Sequence, residues 1–186
     1  DSTVGKRLDN RTIVIAEIGV NHNGSLRLAK DLIAKASEAG ADYAKFQTFK
    51  AEYLASEHAP VAKYQDSSFQ GSGQRDLLSS LELTNDDFRD LIASCKSHGI
   101  GFLTTAHDLA STEFVLGLDS DFIKIPSGDV NNSPFLRLVA EQGKPILLST
   151  GASSAEEVLQ AIQTLESFGS TRSSITVLQC TTEYPA

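Results

Sequence analysis

Three charged residues interrupt runs that otherwise read as apolar strands. They are Glu17 in IVIAEIG, Lys45 in YAKFQ and Lys124 in FIKIPSG. A charge inside such a run is costly unless it is paired or reaches solvent. One reading turns each lysine outward, snorkelling past a helix or pairing with a structural carboxylate. The other turns both lysines to a common interior, where they meet an anion. The hydroxyls Thr105, Ser127, Ser149 and Thr150 stand at equivalent strand ends. Two ammonium groups ringed by hydroxyls and strand-end amides make a phosphate site. Glu17 beside them is either a structural partner for one lysine or an ionised group that orients water and moves a proton. His22 and His107 also lie at strand ends and are candidates for substrate contact, whereas His58 and His98 read as structural or solvated. No His/His/carboxylate spacing marks a metal site.

The elements that must position these residues alternate. Strands are expected over 12–19, 42–49, 100–107, 121–127, 144–150 and 174–185. Helices are expected over 25–40, 84–99, 108–118, 133–143 and 153–169. Residues 50–75 are polar, Gly/Ser-rich and without clear period, which predicts a long loop. Helix boundaries carry local signals: Ser25 and Thr84 suit N-caps, Pro134 suits a first helical position, and Gly40 and Gly99 suit stops. Strands each followed by a helix imply a parallel sheet with right-handed crossovers. A doubly wound open sheet and a (β/α)₈ TIM barrel compete. No Gly-x-Gly-x-x-Gly or P-loop pattern supports the first. The polar residues gather at the C-terminal ends of all six strands, which a barrel would bring to one mouth.

The totals narrow the function classes. The chain has 186 residues, 40% hydrophobic and 22% charged, with a net charge of -8 and a pI of about 4.9. That balance argues against a nucleic-acid or anionic-membrane surface. No apolar run approaches the ~18 residues of a membrane span, and the first ten residues lack the apolar core of a signal peptide. Cys95 and Cys180 have no metal-binding spacing and read as buried free thiols, which fits a reducing cytoplasm.

Six stretches together resemble the sialic acid synthase family: IAEIGVNHNG, AKFQTF, FLTTAHD, IKIPSGDVNNSP, ILLSTG and LQCTTEYPA. That family includes N-acetylneuraminate, legionaminic and pseudaminic acid synthases and a spore-coat polysaccharide protein. The resemblance implies a carbon–carbon bond-forming transferase. Its partners would be phosphoenolpyruvate and an N-acylated amino sugar, its products a nonulosonic acid and phosphate. It implies a divalent metal, typically manganese, on the sugar aldehyde oxygen, and a homodimer of the full-length protein. Carried over by motif, Glu17 is the catalytic glutamate. Lys45, Thr105, Lys124, Ser127, Ser149 and Thr182 face phosphoenolpyruvate, and Gln47, Asp129 and Tyr184 face the sugar.

The resemblance also places residues 1–186 as the N-terminal part of a (β/α)₈ barrel, strands one to six. Strands seven and eight, the two metal-binding histidines and any antifreeze-like domain are expected beyond it. No metal ligand is therefore expected within this chain, and residues 1–186 alone are not expected to form a stable, active enzyme. The chain departs from the family pattern at several places, of which Ala106-His107 and Asp129 bear on the sugar side. Ala106-His107 stands where many relatives read Pro-Phe, Asp129 replaces a frequent Glu, Thr182 a frequent Asn, and Ala152 a usual Met. Two other readings remain: a related synthase acting on a phosphorylated sugar, which would need a further basic cluster, and a non-catalytic sugar-binding barrel in coat assembly.

Overall fold

The computed structural model describes residues 12–60 and 73–182. Its six strands are β1 (Ile15–Gly19), β2 (Tyr43–Thr48), β3 (Gly101–Ala106), β4 (Ile123–Ile125), β5 (Ile146–Ser149) and β6 (Ile175–Leu178). All neighbours pair in parallel, and their order in the sheet is their order in the chain. A doubly wound sheet must reverse its winding at a switch point. This sheet never does, so it is a curled, barrel-type wall of six parallel strands.

Alternation divides each strand between two faces. One set packs under the helices: Ile18, Ala44, Phe46 and Phe102 join Ala29 and Ile33 of α1 (Leu26–Glu38), and Phe88, Leu91 and Cys95 of a later helix, Asn85–Ser97. A second cluster joins Ile123, Ile125, Ile146 and Leu148 to the helices Ser133–Ala140 and Ala155–Ser167. The alternate set, which includes Glu17, Lys45, Thr105 and Lys124, is left on the inner face.

The helices begin where the sequence predicts. Ser25 accepts from the Leu28 amide, and Thr84 and Ser154 form reciprocal capping boxes with Asp87 and Glu157. The expected loop over 50–75 is corrected in part. A single turn, α2 (Ala51–Leu54), follows β2, and α3 (Gln74–Leu81) begins at the loop's end. Neither has a side-chain N-cap, so neither carries the signal that marks the others. The remaining helices are α4 (Asn85–Ser97), α5 (Leu109–Leu116), α6 (Ser133–Ala140) and α7 (Ala155–Ser167). The last strand is also shorter than expected. It stops at Leu178, whose carbonyl accepts from the Thr150 hydroxyl at 2.9 Å. No helix among the described residues is long and apolar enough to cross a membrane.

The turn after β1 presses on α3. Gly24 has φ +72, and a Cβ there would lie 2.2 Å from the Ser80 carbonyl oxygen. Gly24→Ala must therefore adopt an unfavourable left-handed backbone and displace α3. The expected loss is about 2–4 kcal/mol in urea unfolding. A loss below 0.5 kcal/mol, the scale of a neutral surface change, would show that this contact does not fix the two loops.

Candidate functional site

The register brings the inner-face residues together from neighbouring strands. Glu17 pairs with Lys45 across β1 and β2. Gln47 pairs with Thr105 across β2 and β3, and Thr105 with Lys124 across β3 and β4. Both lysines therefore point inward, not outward past a helix. Lys45 Nζ lies 2.5 Å from Glu17 Oε2, with 12% of the lysine side chain exposed and 50% of the glutamate. A register shift between Glu17 and Gly19 breaks the β1–β2 ladder at this point. Gly19 there has φ +55, and a Cβ on it would lie 3.1 Å from Glu17 Oε1 and 3.4 Å from Gln47 Nε2. The bulge thus leaves room for both side chains at the strand end.

Lys124 is 8% exposed. Its ammonium donates to the Ile125 carbonyl at 2.9 Å and to Ser149 Oγ at 2.6 Å. Cys180 Sγ donates to the same Ser149 oxygen at 3.3 Å. A hydroxyl has two lone pairs and one proton. The single Cys180 proton is shared between this oxygen and the Leu178 carbonyl at 3.4 Å, and Ser149, accepting from Lys124, keeps its own proton to donate. Thr105 Oγ1 is buried with no partner among the described residues. Two hydroxyls, on β3 and β5, therefore flank Lys124 of the strand between them.

Electrostatics identifies what this wall lacks. Burial, and then the neighbouring Lys45, lower the Lys124 pKa from its ordinary 10.5 to about 8, against smaller opposing effects of Cys180 and Glu17. Burial likewise lowers His107 to about 4, helped by Lys45 and Lys124 and opposed by Asp129 and Asp108. Lys124 meets only neutral oxygens through its hydrogen bonds, while the Glu17 carboxylate is taken by Lys45. An anion placed here would supply the charged partner that Lys124 lacks.

The other expected site residues are distributed around this centre. Ser127 and Asp129 lie in a 3₁₀ turn directly after β4. The Ser127 carbonyl accepts from Ser153 Oγ at 3.3 Å, and Asp129 Oδ1 accepts from Asn132 Nδ2 at 3.0 Å. A Cβ on Gly151 would lie 2.4 Å from Thr182 Oγ1, so this glycine makes room for Thr182 beside the end of β5. Tyr184 lies outside the described residues.

Two expectations need correction. His22 is not a substrate contact: it is 1% exposed, its Nδ1 accepts from the Gly24 amide at 3.1 Å, and it braces the turn after β1. Burial lowers its pKa, opposed by a hydrogen bond to the Gly19 backbone. Cys95 is a buried thiol, pushed up to about 12 by burial. Cys180, however, is only half-buried and stands in the site. Its role follows from the early end of β6, which no residue pattern announces. His58 and His98 are exposed, as expected. No group of three or more His, Cys, Asp or Glu side chains that could hold a metal exists among the described residues.

The chain is similar to known proteins. The NeuB family profile matches residues 32–186. The N,N′-diacetyllegionaminic acid synthase of Campylobacter jejuni is 43% identical over 95% of the chain and 53% of its own length. The human N-acetylneuraminate-9-phosphate synthase is 35% identical over 92% of the chain and 47% of its own. The chain thus spans about half the length of the curated relatives it matches. The crystal structure of an N-acetylneuraminic acid synthetase from Leptospira borgpetersenii, in complex with citrate, superposes with a TM-score of 0.79 at 26% identity. That match covers 95% of this chain and 56% of the other.

The depressed Lys124 pKa has a consequence for stability. Below about pH 8 both folded and unfolded states hold the proton, and the fold bears the full penalty of the buried charge. Between about 8 and 10.5 the folded state has lost the proton and the unfolded state has not, so stability rises with pH. Lys124→Met should therefore stabilise the protein at pH 7, on the order of 1–3 kcal/mol after its lost hydrogen bonds are counted. It should also flatten the rise towards alkaline pH. Denaturant unfolding of both proteins at neutral and alkaline pH tests this; a destabilised variant with an unchanged pH profile would contradict it.

Proposed function

Since the chain belongs to the NeuB family, we propose that its protein condenses phosphoenolpyruvate with an N-acylated amino sugar, giving a nonulosonic acid and inorganic phosphate. The observation that carries this reading is the inward pair of lysines, Lys45 held by Glu17 and Lys124 held by neutral oxygens alone. Phosphoenolpyruvate carries a phosphate and a carboxylate, and so brings the negative charge that Lys124 lacks. In this reading Lys45 and Lys124 take the phosphate with the hydroxyls of Thr105, Ser127 and Ser149, and Thr182 takes the carboxylate. Gln47, Asp129 and Tyr184 face the sugar.

The reaction forms a bond between C3 of phosphoenolpyruvate and the aldehyde carbon of the open-chain sugar, whose oxygen takes up a proton. Water adds at C2, the C2–O bond to phosphate breaks, and the remaining hydroxyl at C2 loses its proton to leave a ketone. Glu17 serves here as the proton carrier. Its carboxylate is half-exposed and its contact with Lys45 aims it at the mouth. As phosphate leaves, its growing charge falls on Lys45 and Lys124, which stabilise it without rearrangement.

The described residues form no group that fits a metal. Manganese on ligands outside the described residues, homodimeric assembly, a cytoplasmic setting and completion of the barrel by two further strands belong to the same proposal. They rest on the resemblance. The relatives differ in their sugar, one being named for an N,N′-diacetyl product and one for a 9-phosphate.

The test is phosphate release by the complete protein with phosphoenolpyruvate and a panel of N-acylated hexosamines. Lys45→Ala and Lys124→Ala should each lower kcat/KM for phosphoenolpyruvate about 10- to 150-fold, the worth of a charge-assisted hydrogen bond. Glu17→Gln should bind phosphoenolpyruvate normally and lose about 10²–10⁴-fold in kcat. Near-normal kinetics in a lysine variant would return that lysine to a structural role. More than a tenth of wild-type kcat in Glu17→Gln would remove Glu17 from the chemistry.

A further inference from the structure

The chain leaves β6 at Leu178, the strand partner of Ser149, and runs on across the end of β5. Three consecutive residues meet it there. Ser149 Oγ lies 3.3 Å from Cys180 Sγ. The Thr150 hydroxyl donates to the Leu178 carbonyl at 2.9 Å. Gly151 has no side chain where a Cβ would lie 3.2 Å from both the carbonyl carbon and the Cβ of Cys180. We propose that Cys180 is a positioning residue of the anion site: its thiol holds the Ser149 hydroxyl, and Ser149 meets the anion together with Lys124. That anion is phosphoenolpyruvate on the synthase reading above, on which this proposal rests.

The thiol lies on the face that carries the lysine. Lys124 pairs with Leu147, and alternation returns Ser149 to the same face two residues later. Lys124 Nζ accordingly donates to Ser149 Oγ at 2.6 Å. β5 stands between β4 and β6. The ammonium therefore reaches the serine oxygen from the β4 side, and the thiol reaches it from the segment after β6. Among the described residues these are the two side chains hydrogen-bonded to the Ser149 hydroxyl.

The chemistry of the two neighbours suits a hydroxyl kept ready to donate. A serine turns about one χ1 bond with three staggered wells, and contacts from opposite sides hold it in one of them. Neither neighbour competes for its proton. An ammonium has no acceptor to offer, and a thiol sulfur is a weak one. A thiol is also a small, largely apolar group, so it fills the space beside a buried ammonium without drawing the Ser149 proton away from the mouth. Cys180 makes its own hydrogen bonds to Ser149 and to the Leu178 carbonyl, so its route to the anion runs through Ser149.

The experiment measures the calorimetric Kd of phosphoenolpyruvate, with kcat and KM from phosphate release, in the complete protein and its variants. Cys180→Ala should weaken phosphoenolpyruvate binding about 3- to 10-fold, the worth of one neutral hydrogen bond. Its kcat at saturation should stay within about twofold, because the contact serves substrate and transition state alike. Cys180→Ser keeps a donor and should recover most of the loss. Cys180→Val keeps the volume without the donor and should not. In a Ser149→Ala background, replacing Cys180 should change the affinity by less than about twofold, because its route to the anion is gone.

If Cys180→Ala melts early, the Ser and Val variants supply the same comparison. Unchanged affinity in the Cys180 variants, recovery by Val and not by Ser, or a full further loss in the Ser149→Ala background overturns the proposal and leaves the synthase reading intact. If phosphoenolpyruvate binds and no sugar turns over, the synthase reading fails, and the same binding comparisons still decide the role of Cys180. If phosphoenolpyruvate does not bind, inorganic phosphate becomes the probe. The same order of variants would then uphold Cys180 while the synthase reading falls; equal affinities, or no phosphate binding, would overturn the proposal.

Discussion

A buried ammonium group without a charged hydrogen-bond partner is the constraint on which the site turns. Lys124 sits in a wall where Ile123 and Ile125 pack outward under the helices, and its own side chain is directed inward. Ile125 O and Ser149 Oγ satisfy its hydrogen bonds, but neither neutralises its charge. Lys45 nearby makes matters worse, and the one carboxylate bonded in the group is taken by Lys45. Such an arrangement is unfavourable in the empty protein and favourable once an anion arrives, as expected of a site built for charge that develops during a reaction.

The fold supplies this arrangement by keeping strand order equal to chain order. Each βα unit places its helix outside and one or two polar residues at the strand's C-terminal end, so that adjacent units present them side by side. The bulge at Gly19 opens the space where Glu17 meets Lys45 and Gln47. Asp108 ties the turn after β2 to the start of α5 through Lys50 and Ser111. The mouth is therefore held by backbone contacts as well as by the strands. Charge is partitioned across it, with lysines over β2 and β4 and carboxylates after β3 and β4.

Much of this was legible in the sequence. Strand and helix alternation, the caps at Ser25 and Thr84 and the polar strand ends each follow from local rules and gave the barrel-type architecture. The inward direction of the lysines was one of two open readings, because alternation alone does not say which face of a strand is which. Register decides it, and register depends on partners distant in sequence. The helix Gln74–Leu81 was missed because it lacks a capping side chain and follows a Gly/Ser-rich stretch. His22 was misjudged because a histidine at a strand end looks the same whether it faces a ligand or braces a turn. Cys180 was read as buried in a longer strand, whereas β6 ends at Leu178 and the thiol lies beside Ser149.

The central claim is that Lys124 is a cation awaiting an anion, and its own titration tests that most directly. Lys124 can be assigned in a ¹³C-lysine spectrum by its absence from Lys124→Met, then titrated with and without saturating phosphoenolpyruvate. The account predicts a midpoint near 8 in the free protein, rising by about one to three pH units when the anion binds. A midpoint at the ordinary 10.5, or one that phosphoenolpyruvate leaves unmoved, would contradict it.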